Sequence, residues 1–270
     1  MKKPKIGIIT DKYHLIYKLS ELIKSLKSKA KISFYLEESI LLNCENQKFD
    51  EDLFFVKGKG KLMIAFARMI EKKTSIPIIN SYKAIWLTIN RFMNCMLLKK
   101  EGVLVPKFSL DPQGIDPPFE DFITKNLIDQ KTYVFKPHIE KILGHLRVSD
   151  ERAINEKDIY HYLFYQEFIK SKWEYKVYVI GDELFYYKQL PLLVNQNKME
   201  SRRKIDNISE LGEITLKAMK VLNLKLASLD FLISKQNKFY LTDIHSTPNF
   251  NYIKGGVNIM IDFLLKNAKN

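Results

Sequence analysis

The sequence has 270 residues, of which 46% are hydrophobic, so the chain is long enough to bury the cores of two or three compact sub-domains. It carries 44 Lys and Arg against 31 Asp and Glu, and the net charge of +13 favours anionic partners such as nucleotides, phosphorylated metabolites or nucleic acid. Two cysteines argue against a disulfide framework, apolar runs well short of ~20 residues argue against a membrane span, and a cytoplasmic location is expected.

The first 80 residues alternate between strand-like and helix-like segments. The short apolar run 6–10 predicts a strand rather than a secretory signal, because Asp11 and Lys12 interrupt it. Amphipathic helices are predicted over "YHLIYKLSELIKSLKSK" and "KLMIAFARMIEKK". Further strands are predicted at "ISFYL", "DLFFVKG" and "IPIIN". This alternation predicts a small α/β domain with a largely parallel sheet over residues 1–80.

From residue 81 onward the pattern changes twice. One long helix is predicted over "SYKAIWLTINRFMNCMLLKKEG", ended by Gly102, and Pro106 opens the next strand. A loop rich in Pro and Asp follows at 111–121, then the strand "TYVFKP". The remaining chain is rich in strands: "LFYQEFI", a hairpin "EYKVYVIGDELFYYKQL" turning at Gly181-Asp182, and a late hairpin of "LASLDFLIS" with "KFYLTDIH". Helices are predicted at "ISELGEITLKAMKVLN" and "VNIMIDFLLKNA".

Three charged residues lie on or at the ends of apolar strands in this second part. A lysine at the end of "YVFKP", Lys136, can reach from a rigid strand into a cleft and bind phosphate as a compact positive charge. Asp230 and Asp243 lie one on each strand of the late hairpin. They can hold one ion, because Mg²⁺ usually takes one or two carboxylates together with the phosphates of its nucleotide. The structural alternatives are that strands often end in Lys-Pro and that acids cap hairpins or pair with lysines.

The order of these features resembles the ATP-grasp superfamily from about Ser81 onward. The resemblance implies an α/β (α+β) fold of the ATP-grasp type, in which ATP lies between the central and C-terminal sheets. Lys136 would then contact the nucleotide phosphates, and the "QEFI" strand would supply the adenine hinge. The three expected units are an N-terminal α/β substrate-side domain, a central domain, and a C-terminal domain that carries the metal site, at 1–80, 81–165 and 166–270.

The motifs can be compared with two branches of this superfamily. The carboxylate–amine ligases, such as those resembling ribosomal protein glutamate ligase or glutathione synthetase, usually carry Asp-x-Arg before a "V-x-V-x-G" strand and Glu as the second metal acid. Here Lys176 in "EYKVYVIG", Asp243 in "LTDIH" and Arg91 in "INRF" are more similar to the inositol trisphosphate kinases. The resemblance therefore implies a kinase that uses ATP and Mg²⁺ to phosphorylate a hydroxyl of an inositol (poly)phosphate.

Two other functions stay open. One is an ATP-grasp carboxylate–amine ligase acting through an acyl phosphate, and the other is a non-catalytic nucleotide- or polyanion-binding protein. The kinase expectation comes with a small phosphorylated substrate, a monomeric protein and no membrane partner. Nucleic acid is not the expected partner, because the basic residues are scattered in short groups rather than gathered in one tract.

The resemblance also assigns candidate site residues. The catalytic candidates are Lys136, Lys176 and His145. The ATP-binding candidates are Arg91, Lys136, Gln166, Glu167 and Ile169. The substrate-binding candidates are Lys12, Lys57, Lys59, Lys176 and Lys188, with Arg202-Arg203 as possible additions to the same cleft. The metal ligands are Asp230, Asp243 and His245.

One metal ligand departs from the family pattern. His245 stands where the family has Asn, and a neutral imidazole is a poorer ligand for Mg²⁺ than an amide oxygen. A weaker second ion, Mn²⁺ in place of Mg²⁺, or an intervening water are the expected consequences.

Overall fold

The computed structural model describes residues 3–40, 47–111, 122–128, 134–135, 163–191 and 199–268. Their strands form three sheets. The first is parallel, in the order β2-β1-β3-β4. Its strands are β1 Lys5–Thr10, β2 Lys31–Leu36, β3 Leu53–Lys57 and β4 Ile78–Ile79. Every residue of β3 is buried, as expected for an inner strand of a parallel sheet that helices cover.

The first predicted helix is two helices in the structure. They are α1 Lys12–Tyr17 and α2 Ser20–Leu26. The break at Lys18 and Leu19 lets Leu19 turn fully into the core, whereas α1 itself buries no residue. The third helix is α3 Lys61–Lys73, as the "KLMIAFARMIEKK" periodicity predicts.

The long helix predicted after residue 81 is also divided, into α4 Tyr82–Ile89 and α5 Arg91–Lys100. Asn90 between them has extended backbone angles, and its side chain accepts a hydrogen bond from Met93 N at 3.0 Å. Asn competes with the helix in this way because its short side chain can cap a new helical turn. Gly102 follows α5 with φ +73°, so the predicted glycine stop is confirmed.

The second and third sheets are antiparallel. The second has the order β5-β8-β6-β7 and consists of β5 Phe108–Asp111, β6 Phe122–Asn126, β7 Val134–Phe135 and β8 Leu163–Glu167. The third has the order β11-β10-β9-β12-β13. Its strands are β9 Glu174–Ile180, β10 Glu183–Gln189, β11 Arg203–Lys204, β12 Leu226–Ile233 and β13 Phe239–His245. The last two helices are α6 Ser209–Val221 and α7 Gly256–Asn267.

The third sheet packs on both faces. One face, with Val177, Leu229 and Phe231, shares a core with α6. Part of the other face shares a core with α7 and with α2 and β1 of the first sheet. The first and third sheets are therefore held together by one continuous apolar core, and α7 contributes to both sides of it.

A single buried amide joins the same two sheets. Asn80, directly after β4, donates from Nδ2 to the carbonyls of Leu226 and Ser246, each at 2.7 Å. Its Oδ1 accepts from Lys225 N at 2.8 Å and Leu226 N at 3.1 Å. These four bonds fix the end of β4 against the start of β12 and the residue after β13. In the described parts of the chain, no helix is both long and apolar enough to cross a membrane.

Candidate functional site

A row of charged side chains crosses the third sheet. Lys176 on β9 is the register partner of Asp230 on β12, which in turn pairs with Asp243 on β13. Lys176 Nζ donates to Asp230 Oδ1, and both side chains are about nine-tenths buried. Burial of both charges is tolerated because each lies beside its opposite.

A second row lies two residues further along the same face, where side chains of a strand repeat. It contains Tyr178, Ser228 and His245. His245 Nε2 lies 3.7 Å from Asp243 Oδ2 and 3.9 Å from Asp230 Oδ2. The two rows together make one polar face at this end of the sheet, and the opposite face is the apolar core on α6.

A β-bulge aims Asp243 at this face. Phe231 pairs with Leu241, but Asp230 pairs with Asp243, so Thr242 is an extra residue in β13. Leu241 therefore faces the core although it is two residues from Asp243, which faces the site. Bulges commonly re-aim side chains next to functional sites. Strict alternation would have placed Asp243 on the same face as Leu241.

The electrostatics of Asp243 favour its ionised form. Burial by itself would raise the pKa of this carboxyl, but neighbouring protonatable groups outweigh burial and hold the pKa well below its usual range. These groups are His245, Lys125, Arg91 and Lys59. Asp243 is thus available as a carboxylate ligand.

His245 is shifted towards its neutral form. Burial lowers its pKa, the charges of Lys59 and Lys176 act in the same direction, and the carboxylates of Asp243 and Asp230 oppose them. Lys59 Nζ lies 3.4 Å from His245 Nδ1, and a neutral ring can accept a hydrogen bond there. The contact joins the loop after β3 to the end of β13.

The donor set fits a divalent cation that also binds phosphate. Among the residues that the structure describes, no three His, Cys, Asp or Glu side chains are close enough to hold a metal ion by themselves. Two carboxylates on one face, Asp230 and Asp243, nevertheless match the one or two carboxylates that Mg²⁺ takes when nucleotide oxygens and water complete its shell. Such an ion would have to share the carboxylate of Asp230 with the ammonium of Lys176.

The second sheet meets the third at the bulge. Lys125 on β6 donates to Gln166 Oε1 at 2.9 Å and to the Thr242 carbonyl at 3.3 Å. Gln166 Nε2 on β8 donates to the same carbonyl at 3.3 Å. The extra residue of the bulge is thus the point where the two sheets are joined by hydrogen bonds. Lys125 was missed from the sequence; a lone lysine in the alternating segment "FITKN" is the signal that could have found it.

A cleft of ≈ 780 Å³ opens between the first and third sheets. It is lined from below by Lys176, Tyr178, Ser228 and His245 of the polar face. The opposite wall consists of loops that follow β1 and β3, with Asp11, His14 and the segment 58–61. Gly58 has φ +144°, and a Cβ there would lie 2.4 Å from Met63 Cε, so glycine allows this loop to run close to α3.

The Asp11–His14 pair in the cleft was not predicted from the sequence, whereas Arg202 lines the cleft as expected. Asp11 caps α1 by accepting from His14 N, and its Oδ2 lies 2.7 Å from His14 Nδ1, which fixes the orientation of the imidazole. The signal was "TDKYH", an N-cap Asp with His three residues later. Arg202 donates from Nη1 to Tyr178 Oη at 2.8 Å and from Nε to Gln189 Oε1 at 2.6 Å.

The predicted substrate lysines do not form one ring around the cleft. Lys59 and Lys176 line it. Lys57 is buried, and its ammonium donates to the carbonyls of Thr247, at 2.6 Å, and Pro248. Neither Lys12 nor Lys188 is among the residues that line the cleft, and Lys188 lies over the ring of Trp173 at 5.1 Å.

The remaining predicted residues lie near the second sheet or outside the described residues. Arg91 is buried at the start of α5. Gln166 and Ile169 are buried, and Glu167 accepts from Lys107 N at 3.1 Å. Lys136 and His145 lie outside the described residues.

Solved structures with the same fold are numerous, although no protein-family model and no curated protein matches the sequence. One is the D-alanine–D-alanine ligase from Bacillus anthracis complexed with ATP, with 14% identity, a TM-score of 0.69 and coverage of 98% of this chain and 97% of that chain. A second is the Chryseobacterium gregarium RiPP-associated ATP-grasp ligase in complex with ADP and a leader and core peptide, with 13% identity, a TM-score of 0.68 and coverage of 97% of both chains. A third is the ATP-grasp ligase PsnB complexed with minimal precursor, Mg and ADP, with 14% identity, a TM-score of 0.66 and coverage of 97% of both chains. These likenesses confirm the predicted fold: the chain has an ATP-grasp fold.

The prediction of an inositol phosphate kinase is wrong. The similar structures named above are ligases. Two of the residues that favoured a kinase, Lys176 and Asp243, occupy the paired row of the third sheet. The distinguishing feature would have been the polyphosphate pocket, and three of its five predicted lysines do not line the cleft.

Proposed function

We propose that the protein is an ATP-dependent carboxylate–amine ligase. ATP and Mg²⁺ would convert a carboxylate into an acyl phosphate, and an amine would then displace the phosphate. The observation that carries this proposal is a cleft whose floor bears Lys176 and His245, the direct neighbours of Asp230 and Asp243, and whose opposite wall bears an oriented histidine, His14. The ligases that share the fold support the same reaction class.

The nucleotide would lie between the second and third sheets. In this arrangement the backbone near Glu167 and Ile169 holds adenine, and the cations Arg91 and Lys136 contact phosphates. The proposed units are 1–80, 81–165 and 166–270: the first carries the substrate wall, the second covers the nucleotide, and the third bears the metal face. Asp230 and Asp243 would hold Mg²⁺, which supplies Lewis-acid stabilisation of charge on the transferred phosphoryl group. His245 would contribute from the next row.

Three groups have proposed roles on the acyl side. Lys176, beside Asp230, is placed to neutralise phosphoryl oxygens, and Lys59 reaches His245 on the same face from the opposite wall. Arg202 is held by Tyr178 and Gln189 and lines the cleft, so its guanidinium is preoriented for a carboxylate.

His14 is the proposed general base of the second step. In this role Asp11 Oδ2 accepts a hydrogen bond from Nδ1–H of His14, which leaves Nε2 to accept the proton. The amine nitrogen attacks the acyl carbon, the carbon–oxygen bond to the phosphate breaks, inorganic phosphate leaves, and the amine proton passes to Nε2. This step requires the amine to lie on the first-sheet side of the cleft, where His14 lines it.

The test supplies carboxylates with a general amine. Purified protein is incubated with Mg-ATP, hydroxylamine and a panel of N-blocked amino acids and peptides, and hydroxamate, ADP and inorganic phosphate are quantified. A ligase gives the three products in equal amounts, only when the carboxylate is present. Asp243→Asn is expected to lower this turnover by about 100-fold, equivalent to ~2.7 kcal/mol of transition-state stabilisation. The exposed Asp206→Asn is the matched control.

Two results would reject the proposal. One is phosphate transfer to a hydroxyl compound, seen by phosphorus NMR as a new phosphomonoester without free phosphate. The other is wild-type turnover in Asp243→Asn, which would remove the metal face from the reaction.

A further inference from the structure

A groove on the outer surface of the protein lies outside the cleft. It has a volume of ≈ 480 Å³ and runs between α3 and α4; we call it the α3–α4 groove. Its walls include Ala65 and Met69 of α3 and Tyr82 and Trp86 of α4. Trp86 is 38% exposed, which is a large exposure for an indole in a folded protein. The floor of the groove is therefore apolar.

The rim of the α3–α4 groove is entirely basic among the described residues that line it. Lys61, Arg68 and Lys72 lie along one side of α3. Arg68 stacks over the Tyr82 ring at 5.2 Å, which orients its guanidinium at the rim. The acid next to them, Glu71, uses its carboxylate to accept from Tyr82 N at 2.6 Å. The rim thus presents three cations above an apolar floor.

The groove continues into the cleft. Lys61 lines both, because it is the first residue of α3 and directly follows the segment 58–60 of the cleft wall. A chain that lies along α3 would therefore extend past Lys61 into the cleft. Groove and cleft together form one path from the outer surface to the polar face of the third sheet.

We propose that the α3–α4 groove binds an acidic amphipathic segment of a peptide substrate, and this rests on the ligase function proposed above. An aromatic or branched aliphatic side chain of the segment fills the slot beside Trp86. Its Asp or Glu side chains pair with Arg68 and Lys72, and the part that reacts extends past Lys61 into the cleft. The groove would then select substrates through a region remote from the bond that is made.

A second copy of this chain is a poorer occupant. The chain carries a net charge of +13, and a two-fold contact through this groove would place the same basic rim against itself. An acidic peptide instead gains both apolar burial and charge complementarity.

The test measures binding without ATP. A fluorescein-labelled peptide with alternating Glu and Leu residues around one Trp is titrated with the protein, and its anisotropy is followed. The double variant Arg68→Glu with Lys72→Glu is expected to weaken binding by at least about tenfold. Lys24→Glu with Lys27→Glu, at exposed positions on α2 and directly after it, makes the same change in net charge and is expected to leave affinity within about twofold.

A second variant tests the apolar slot with no change of charge. Ala65→Phe fills the floor from an exposed helix position, so the fold is retained while the anchor side chain is excluded. It is expected to weaken the same peptide by about tenfold. A matched peptide with Lys in place of Glu is expected not to bind.

The inference is overturned by any of three outcomes: unchanged affinity in both groove variants, equal binding of the Lys peptide, or equal competition by a single-stranded oligonucleotide. Concentration-dependent self-association that Ala65→Phe abolishes would also overturn it, because a second copy would then be the occupant. The ligase proposal fails separately. Hydroxamate formation without peptide binding removes only the groove, and groove-dependent peptide binding without hydroxamate removes only the ligase.

Discussion

Lys57 shows how a charge placed correctly by the sequence acquires an unexpected partner. Its position at the end of β3 was predicted, and a substrate phosphate was the expected ligand. In the structure it is 2% exposed, and its ammonium bonds to carbonyls of Thr247 and Pro248, nearly two hundred residues away. No local pattern reveals which distant turn will cover the end of a strand. The sequence alone therefore could not show whether Lys57 binds substrate or stabilises the fold.

The buried lysine predicts a pH dependence of stability. Burial lowers the pKa of Lys57 to about 7, the charges of Lys18 and Lys59 act in the same direction, and Asp11 opposes them. The unfolded pKa is ~10.4, so between these values the unfolded chain binds the extra proton and stability rises with pH. We expect the free energy of unfolding to gain about 2 kcal/mol from this residue between pH 7 and 9.

Chemical denaturation at pH 7 and 9 checks this expectation. Because other groups also titrate in this window, the quantity of interest is the wild-type rise minus that of Lys57→Met. The exposed Lys73→Met should retain the wild-type rise. A Lys57→Met variant whose stability rises with pH as steeply as wild type would show that this amine stays charged.

At the scale of elements, the paired strands were predictable and their interruptions were not. The hairpins of β9 with β10 and β12 with β13 follow from their alternating apolar residues and the turn at Gly181. The two long helices were each broken by one residue with a reason to leave the helix: Leu19 to enter the core, Asn90 to cap α5. The extra residue Thr242 was hidden because a bulge adds to the count of a strand without changing its composition.

The bulge predicts that Lys125 is needed to join the second and third sheets. Lys125→Met leaves the Thr242 carbonyl and Gln166 Oε1 without this buried donor, and a lost partner of this kind costs about 1–3 kcal/mol. The free energy of unfolding from denaturant titration is therefore expected to fall by that amount. Lys107→Met, which removes an exposed ion pair with Glu167 at 3.8 Å, is the control and is expected to cost less than ~1 kcal/mol. Equal losses in the two variants would mean that the buried contact has no special role.

Asn80 makes the equivalent prediction for the first and third sheets. Its amide satisfies four backbone groups between the two sheets, and Asn80→Ala leaves several of them buried without partners. A loss of about 3 kcal/mol is expected in the free energy of unfolding. Asn258→Ala on the exposed side of α7 should be nearly neutral. If both variants unfold at the wild-type denaturant concentration, the amide is not the joint between these sheets.

At the scale of the whole molecule, the sequence predicted the order of elements but not which sheets share a core. The order of strand, lysine and paired acids was enough to predict the ATP-grasp fold. The cleft wall was not predictable, since Asp11 and His14 face the third sheet across the cleft because the two sheets share the core that contains α7. The acceptor side of the cleft distinguishes a kinase from a ligase, and that side is built by this long-range packing.

The arrangement of the three sheets predicts which strands ATP protects from hydrogen exchange. If the nucleotide lies between the second and third sheets, Mg-ATP should slow backbone hydrogen exchange in β8 and β13, while β1 and the segment 58–61 should change little. The Asp230→Asn, Asp243→Asn double variant should keep the metal-independent part of the stabilisation by ATP and lose the increment that Mg²⁺ adds. For a ligand at 100 times its dissociation constant, the whole stabilisation of the wild-type protein amounts to about 2.7 kcal/mol.

Protection centred on 58–61 would instead place the nucleotide in the cleft, and the carboxylate row would then face the base or ribose rather than the phosphates. Slowed exchange at both places, with a second saturable phase on adding an acidic peptide, is the pattern expected when the nucleotide binds between the second and third sheets and the peptide enters the cleft.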